Sequence, residues 1–435
     1  MQINNYWVKN PNTNRLEFDY DVCLQDIKKH TNLTIIDGVV NFYENGVYKR
    51  FSKAAFESVL YTFIPDNPKL RKEMHEQICS YLSYAKAHDK LPFAESSNRF
   101  IAFKNGVLDL ETHELLGFSK DYHVGNKLPV NYNPDADVSF VTKALSTWAN
   151  HNEKAELLLQ EILGSVITNN CNLQKSFILV GKPDSGKSAF LEAIQLLVGS
   201  DNYSNLQISD FKKETYLAEL YDKLVNCGDD IDSITLKNTG LFKRLVSHNK
   251  VIAKQLYDQP FSFEPKATLV FAANVLPNIV DKGGDIRKRL VVVSFENSLQ
   301  NKSSDRVNNF MAQMNTQENL EALALMAVSG LQRLRNNGYQ YTAVDYAEEL
   351  LSEEDEDPTL FYLRNIVTES DLINKPVADA YKAYLDWAKK EAEVPVASRT
   401  FGSYVKREYG LISQTKSYCK SSTRKPVPTR IYQKR

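Results

Sequence analysis

The stretch that most constrains this chain is Phe177-Ile178-Leu179-Val180-Gly181-Lys182-Pro183-Asp184-Ser185-Gly186-Lys187-Ser188-Ala189-Phe190. An apolar run of strand length meets a G-x-x-x-x-G-K-S loop, and apolar residues then recur at helical spacing through Leu191, Ile194 and Leu197. This order of elements is what a phosphate-cradling P-loop requires. Gly181 and Gly186 let backbone N–H groups turn inward, and the N-terminus of the following helix adds positive potential. Within Gly181, Lys182, Pro183, Asp184, Ser185, Gly186, Lys187 and Ser188, the lysine is placed to reach the β- and γ-phosphates of ATP. The Ser188 hydroxyl is placed to ligate Mg²⁺.

Two further apolar runs end in polar residues that would complete such a site. Lys223 to Ile231 closes on Asp229-Asp230, where one carboxylate would hold Mg²⁺ or its water and the other polarise an attacking water; Asp229 is read as metal ligand and Asp230 as base. Ala267 to Asn274 ends in an amide that could orient the lytic water. A fourth run, Leu290 to Phe295, is preceded by Arg287-Lys288-Arg289. A guanidinium there could stabilise charge on a transferring phosphoryl group, from a neighbouring subunit, with Arg289 preferred to Arg287.

These four elements resemble, in their order, the AAA+ core of superfamily 3 helicases, most closely the helicase part of phage and plasmid primase-helicases and of the poxvirus-type primase-helicase. The resemblance implies an α/β fold: an AAA+ P-loop core with a mixed α+β N-terminal collar domain and a C-terminal winged helix. It also implies a DNA-contacting hairpin over Lys243 to Asp258. Lys243 and Leu245 match its K-x-L motif, His248-Asn249 stands in place of the usual glycine turn, and Leu256 occupies the usual tip-lysine position. Lys250, Lys254 and Tyr257 would supply phosphate charge and a stacking surface.

The likeness extends to Phe103–Asp109 and Asn126–Val130 as a collar, and to Val377–Ala388 and Arg399–Arg407 as the helices of the winged domain. The expected division is 1–95 N-terminal α+β region, 96–150 collar, 151–300 core, 301–350 helical lid, 351–372 acidic linker and 373–435 DNA-binding domain. A primase domain is expected to be absent. An asparagine–glycine hairpin over Val39–Phe51, a helix from about Asn67-Pro68 and a second hairpin over Phe100–Leu110 are read ahead of the core. Asp135-Ala136-Asp137 has a metal-binding D-x-D form, but it follows Asn131-Tyr132-Asn133-Pro134 and reads as a turn.

Composition sets the remaining bounds. At 435 residues, 43% hydrophobic and 25% charged, the chain suits two or three domains. No apolar run approaches the ~18 residues of a membrane span, so a cytoplasmic protein without membrane association is expected. Five scattered cysteines without a C-x-x-C pair and seven isolated histidines argue for reduced thiols and against metal beyond nucleotide-borne Mg²⁺. The net charge of −1 hides a basic C-terminus. From Val396 onward Glu408 is the one acid, against Arg399, Lys406, Arg407, Lys416, Lys420, Arg424, Lys425, Arg430, Lys434 and Arg435.

The expected function is therefore an ATP-dependent, ring-forming DNA helicase of a mobile element, acting as a homo-hexamer on single-stranded and forked DNA beside a separate primase or polymerase. The alternatives are an ATP-switched replication initiator or loader without processive unwinding, and a small-molecule P-loop kinase.

Overall fold

Apolar residues on alternate sides of the central strands require cover on both faces of the sheet, and the fold supplies it. The computed structural model describes residues 6–12, 14–36, 39–65, 67–88, 90–95, 97–169, 173–231, 239–254, 260–276, 286–296, 304–344, 358–391, 395–418 and 427–434. The chain is mixed α/β and is built around a five-stranded parallel sheet.

The N-terminal part pairs β1 (Trp7–Lys9) with β2 (Leu16–Phe18), followed by α1 (Tyr20–Thr31). A four-stranded sheet follows, from β3 (Thr34–Ile36), β4 (Val39–Glu44), β5 (Val47–Arg50) and β6 (Phe93–Ala94), in the order β5-β4-β3-β6. Asn45 and Gly46 adopt φ of 53° and 94° at the β4–β5 turn, the left-handed pair that a tight hairpin needs. Between β5 and β6 run α2 (Lys53–Phe63) and α3 (Pro68–Ala87), capped by Ser52 and Asn67, whose side chains accept from Ala55 and Leu70 N–H. Met74, Ile78, Leu82 and Ala85 of α3 are buried with Ile27, Phe42 and Phe56 in a separate core.

A three-stranded sheet of β7 (Phe100–Phe103), β8 (Gly106–Asp109) and β9 (Leu115–Leu116) leads to α4 (Ser139–Trp148) and α5 (Glu153–Ser165). Asp135 and Asp137 lie in the turn before α4, as expected. The Asp137 carboxylate accepts from Ser139 N–H at 2.9 Å, and hydrogen bonds from Ser139 hold it below its ordinary pKa.

The large sheet takes β10 (Ser176–Val180), then, beyond α6 (Lys187–Val198), β11 (Tyr203–Ser204) and β12 (Val225–Ile231), with the short α7 (Glu214–Leu217) in the connection. Helix α8 (Thr239–Val246) and the antiparallel pair β13 (Val251–Ala253) and β14 (Phe261–Phe263) precede β15 (Thr268–Ala273) and β16 (Leu290–Ser294). The strand order is β11-β12-β15-β10-β16. Phe177 and Leu179 face one core with Val270, Ala272 and Val293, covered by α4, α5, α6 and, beyond α9 (Ser304–Met314), by α10 (Gln317–Asn336). Ile178 faces the other, with Leu269, Phe271 and Val292, covered by α7, α8 and β13–β14. The first core draws on residues from Ile101 to Val344, so residues 101–149 and 310–344 pack with the sheet.

The C-terminal residues form a smaller core in which Tyr384, Phe401, Leu411 and Tyr432 are buried. Its elements are the helices Val377–Lys390 and Ser398–Tyr409 and a hairpin of β17 (Leu411–Tyr418) with β18 (Val427–Lys434). Cys23, Cys79 and Cys227 are free thiols. Among the described residues no helix is long and apolar enough to cross a membrane.

Candidate nucleotide site and nucleic-acid surfaces

The parallel register aligns the strand ends. Val180 of β10 pairs with Ala273 of β15 and with Ser294 of β16, and Ile231 of β12 also pairs with Ala273 across a bulge that begins at Gly228. The glycine-rich loop, Asn274 and Asp229 therefore come together at the carboxyl edge of the sheet, where open α/β sheets bind ligands.

Both glycines are required by close approach. A Cβ on Gly181 would meet Phe295 O at 2.2 Å, and one on Gly186, whose φ is +99°, would meet Trp148 Cδ1 at 2.8 Å. Asp184 at the loop tip also has positive φ, 60°. Lys182, Pro183 and Asp184 form an exposed rim, whereas Ser185 and Lys187 are buried. The Lys187 ammonium donates to Gly181 O (2.6 Å), Lys182 O (2.9 Å), Ser185 Oγ (3.4 Å) and Asn274 Oδ1 (3.2 Å). The cation is thus held inside the curve of the loop and tied to the tip of the neighbouring strand.

Ser188, exposed in the first turn of α6, donates to Asp229 Oδ1 at 3.4 Å. A hydroxyl beside an exposed carboxylate is a hard-oxygen donor pair, and with phosphate oxygens and water it fits Mg²⁺ better than softer metals. The backbone of Asp229 is held by Gln207, whose side-chain amide donates to its carbonyl. One strand position earlier, Gly228 has no room for a Cβ, which would lie 2.5 Å from the Phe271 ring. Asp230 occupies the same strand end; its side chain lies outside the described residues.

Asn226 was missed by the sequence reading. It is fully buried in β12 and closes a network with Ser204 Oγ (2.8 Å), Leu206 N (2.8 Å) and Leu206 O (2.9 Å). That network fixes the edge strand β11 and the connection that delivers Gln207. An asparagine inside an apolar run is the only sequence trace of it.

Arg289 is not at this edge. Leu290 pairs with Ser176, at the amino ends of both strands, which puts Arg289 roughly 20 Å along the strand direction from its own glycine-rich loop. Its Nε donates to Ser247 Oγ at 3.0 Å, just past the end of α8. Lys175 lies beside it and donates to Lys288 O; burial, and then the Arg289 charge, hold the Lys175 ammonium below its ordinary pKa.

Of the residues expected to contact DNA, Lys243 lies on α8, ahead of the β13–β14 pair, and is half-buried. Lys250 and Lys254 flank β13 and are exposed, with Lys250 Nζ 3.7 Å from Glu264 Oε1. The turn at His248 has φ of 55°, and its Nδ1 lies 2.7 Å from Pro265 O, which ties the turn to the segment after β14. Tyr257, Arg424 and Lys425 lie outside the described residues. Arg399, Lys406 and Arg407 share an exposed face of the helix Ser398–Tyr409, opposite the buried Phe401 and Val405. Arg407 is partly committed, at 3.0 Å from Glu408 and stacked over Tyr404.

A strand–glycine loop–helix unit in a five-stranded parallel sheet, with lysine, hydroxyl, carboxylate and amide converging on one edge, defines the class of site this chain carries. Comparison with known proteins matches residues 25–155 to the model described as D5 N terminal like, and residues 179–289 to a family of unknown function, DUF5906. Among solved structures, the chain is similar to the A form apo structure of the NrS-1 C-terminal region, at 12% identity and TM-score 0.48, covering 95% of this chain and 98% of that one. A second structure of that region, residues 305–718, is similar at 11% identity and TM-score 0.46 over the same shares of the two chains.

Proposed function

We propose that this protein is an ATP-driven, ring-forming DNA helicase for replication of a phage, plasmid or other mobile element. The convergence of Lys187, Ser188, Asp229 and Asn274 on one sheet edge carries this reading. The D5 N terminal like match over 25–155 supports it, agreeing with the resemblance to primase-helicases.

The backbone N–H groups of Lys182 and of Asp184 to Lys187, with the Lys187 ammonium, would hold the phosphates of ATP. Mg²⁺ carried by the nucleotide would be held by Ser188 and Asp229, supplying charge neutralisation of the phosphate oxygens. Asp230 would take the proton of the attacking water, and Asn274, already bonded to Lys187, would orient that water. Arg289 is too far along the strands to serve its own site, which favours its service to the adjacent protomer of a homo-hexamer. The β13–β14 pair, flanked by Lys250 and Lys254, would then convert hydrolysis into movement of single-stranded DNA, and the helix Ser398–Tyr409 with the β17–β18 hairpin would act as a winged-helix DNA-binding module. Forked DNA and a separate primase or polymerase complete the proposed setting.

Purified protein should hydrolyse ATP several-fold faster with single-stranded DNA and displace a strand from a forked substrate. Lys187→Ala should lower hydrolysis at least about a hundredfold, by removing a charge that acts on the transferring group, while leaving DNA binding. Hydrolysis indifferent to DNA, with no strand displacement, would instead identify an ATP-switched initiator or loader.

A further inference from the structure

The N-terminal sheet and helices enclose a cleft of about 500 Å³ that the nucleotide chemistry does not use. Three cations from separate elements line it: Lys28 of α1, Lys90 after α3, and Lys120 in the loop after β9. None of the three is ion-paired among the described residues. Lys28 Nζ sits 4.2 Å over the Tyr81 ring, Lys90 Nζ donates to Tyr84 Oη at 3.1 Å, and Lys120 Nζ donates to Asn32 Oδ1 at 3.2 Å. Asp121 is the one carboxylate in the lining. The same cleft exposes Phe93, which is 66% accessible on β6, an edge strand of its sheet.

Lysines with an accessible aromatic face match what a single-stranded polynucleotide presents, phosphate charge on one side and unstacked bases on the other. An acidic peptide would match the lysines but leave Phe93 without a planar partner. The length of the binding path decides between a nucleotide and a strand. Tyr48 and His123, their rings 5.6 Å apart, line this cleft and also a second cavity of about 280 Å³, whose wall includes Lys223, Lys250 and Lys266. The second cavity holds two acids, Glu264 beside Lys250 and Asp222. The two cavities meet at Tyr48 and His123, so the basic lining extends from Lys28 and Lys90 as far as Lys250, next to the start of β13.

We infer that the cleft between α1, α3 and the loop at Lys120 is a binding site for single-stranded DNA, with Lys28, Lys90 and Lys120 on its phosphates and Phe93 stacked on a base. This site is separate from the nucleotide site and does not depend on ATP hydrolysis.

The test uses the full chain and fluorescein-labelled oligo(dT) in anisotropy titrations over a range of salt, without ATP. Lys28→Ala, Lys90→Ala and Lys120→Ala combined should weaken binding by about tenfold or more and make the log–log salt slope shallower by about 2, since each single-strand phosphate contact contributes ~0.7. Phe93→Ala should weaken binding by about fivefold with little change in slope. An oligonucleotide bearing 5-iodouracil should photo-cross-link to the peptide that carries Tyr81 or Phe93. Unchanged affinity and slope in the triple variant, or cross-links confined to residues 373–435, would overturn the inference. Equal weakening for duplex DNA, or tight binding of thymidine monophosphate to the same cleft, would overturn the single-strand assignment. ATP turnover measured without DNA should be the same in these variants as in the unaltered chain, so a failed helicase reading and a failed cleft reading give different results.

Discussion

Asp109 shows how a single side chain is set by its surroundings. It is 2% exposed, takes two hydrogen bonds from Arg99, Nε to Oδ1 at 2.9 Å and Nη2 to Oδ2 at 2.5 Å, and also accepts from Glu111 N–H. The Arg99 guanidinium, despite the opposing effect of burial, holds the carboxyl well below the usual carboxylate range. A depressed folded pKa means the pair stabilises the fold at neutral pH and loses that contribution as pH falls below the unfolded value of about 3.9. Asp109→Asn should therefore lower stability in urea at pH 7 by about 1–3 kcal/mol, the range for hydrogen bonds to charged groups. The gap between variant and parent should begin to narrow as the titration is repeated toward pH 3. The site residues Lys187, Ser188, Asp229 and Asn274 were legible because each follows an apolar run that ends abruptly in polar residues. Trp148 beneath Gly186, and Ser247 beside Arg289, left no such mark. Each reaches its partner across more than thirty residues of chain, and only packing brings them together.

Among elements, the hairpin at Asn45-Gly46, the α3 helix behind Asn67-Pro68 and the four strands of the expected core formed where their local signals lay, because turn dihedrals and apolar period act over a few residues. The edge strand β11, two residues long, has no period to detect and exists through Asn226. The contact between α5 and α10 is likewise tertiary. Gly164 and Gly330 lie at their crossing, where a Cβ on Gly330 would fall 1.9 Å from Gln160 O and one on Gly164 2.4 Å from Leu331 N. Beside the crossing, buried Glu161 accepts from Arg333 at 3.0 Å and from Thr342 Oγ1 at 2.8 Å. Gly330→Ala should destabilise by about 1–3 kcal/mol in a urea titration, the cost of overpacking where backbone cannot give way. Unchanged stability would mean the two helices are not this close. In isolation either glycine reads as a mild helix breaker, since the reason for it lies on the other helix.

For the whole molecule, the position of Arg289 makes a prediction about assembly. Arg289→Ala should keep nucleotide binding and lose hydrolysis. Mixing it with Lys187→Ala protein should restore some turnover, because a mixed ring contains interfaces that pair an intact loop with an intact arginine. No recovery over a range of mixing ratios would remove Arg289 from the site. Removal of residues 396–435 should weaken DNA binding and make its salt dependence shallower, as expected when phosphate contacts are lost. The sequence by itself determined the strand–loop–helix unit, the acids and amide at the strand ends and the basic C-terminal helix, because those features depend on backbone preference and apolar period within one segment. Tertiary structure alone decided that β10 lies between β15 and β16, that segments 101–149 and 310–344 share a core with the sheet, and that Arg289 lies at the opposite end of the strands from its own glycine-rich loop. Strand order, register and helix crossing depend on contacts between residues far apart in the chain, and those contacts are settled only when the apolar faces close on one another.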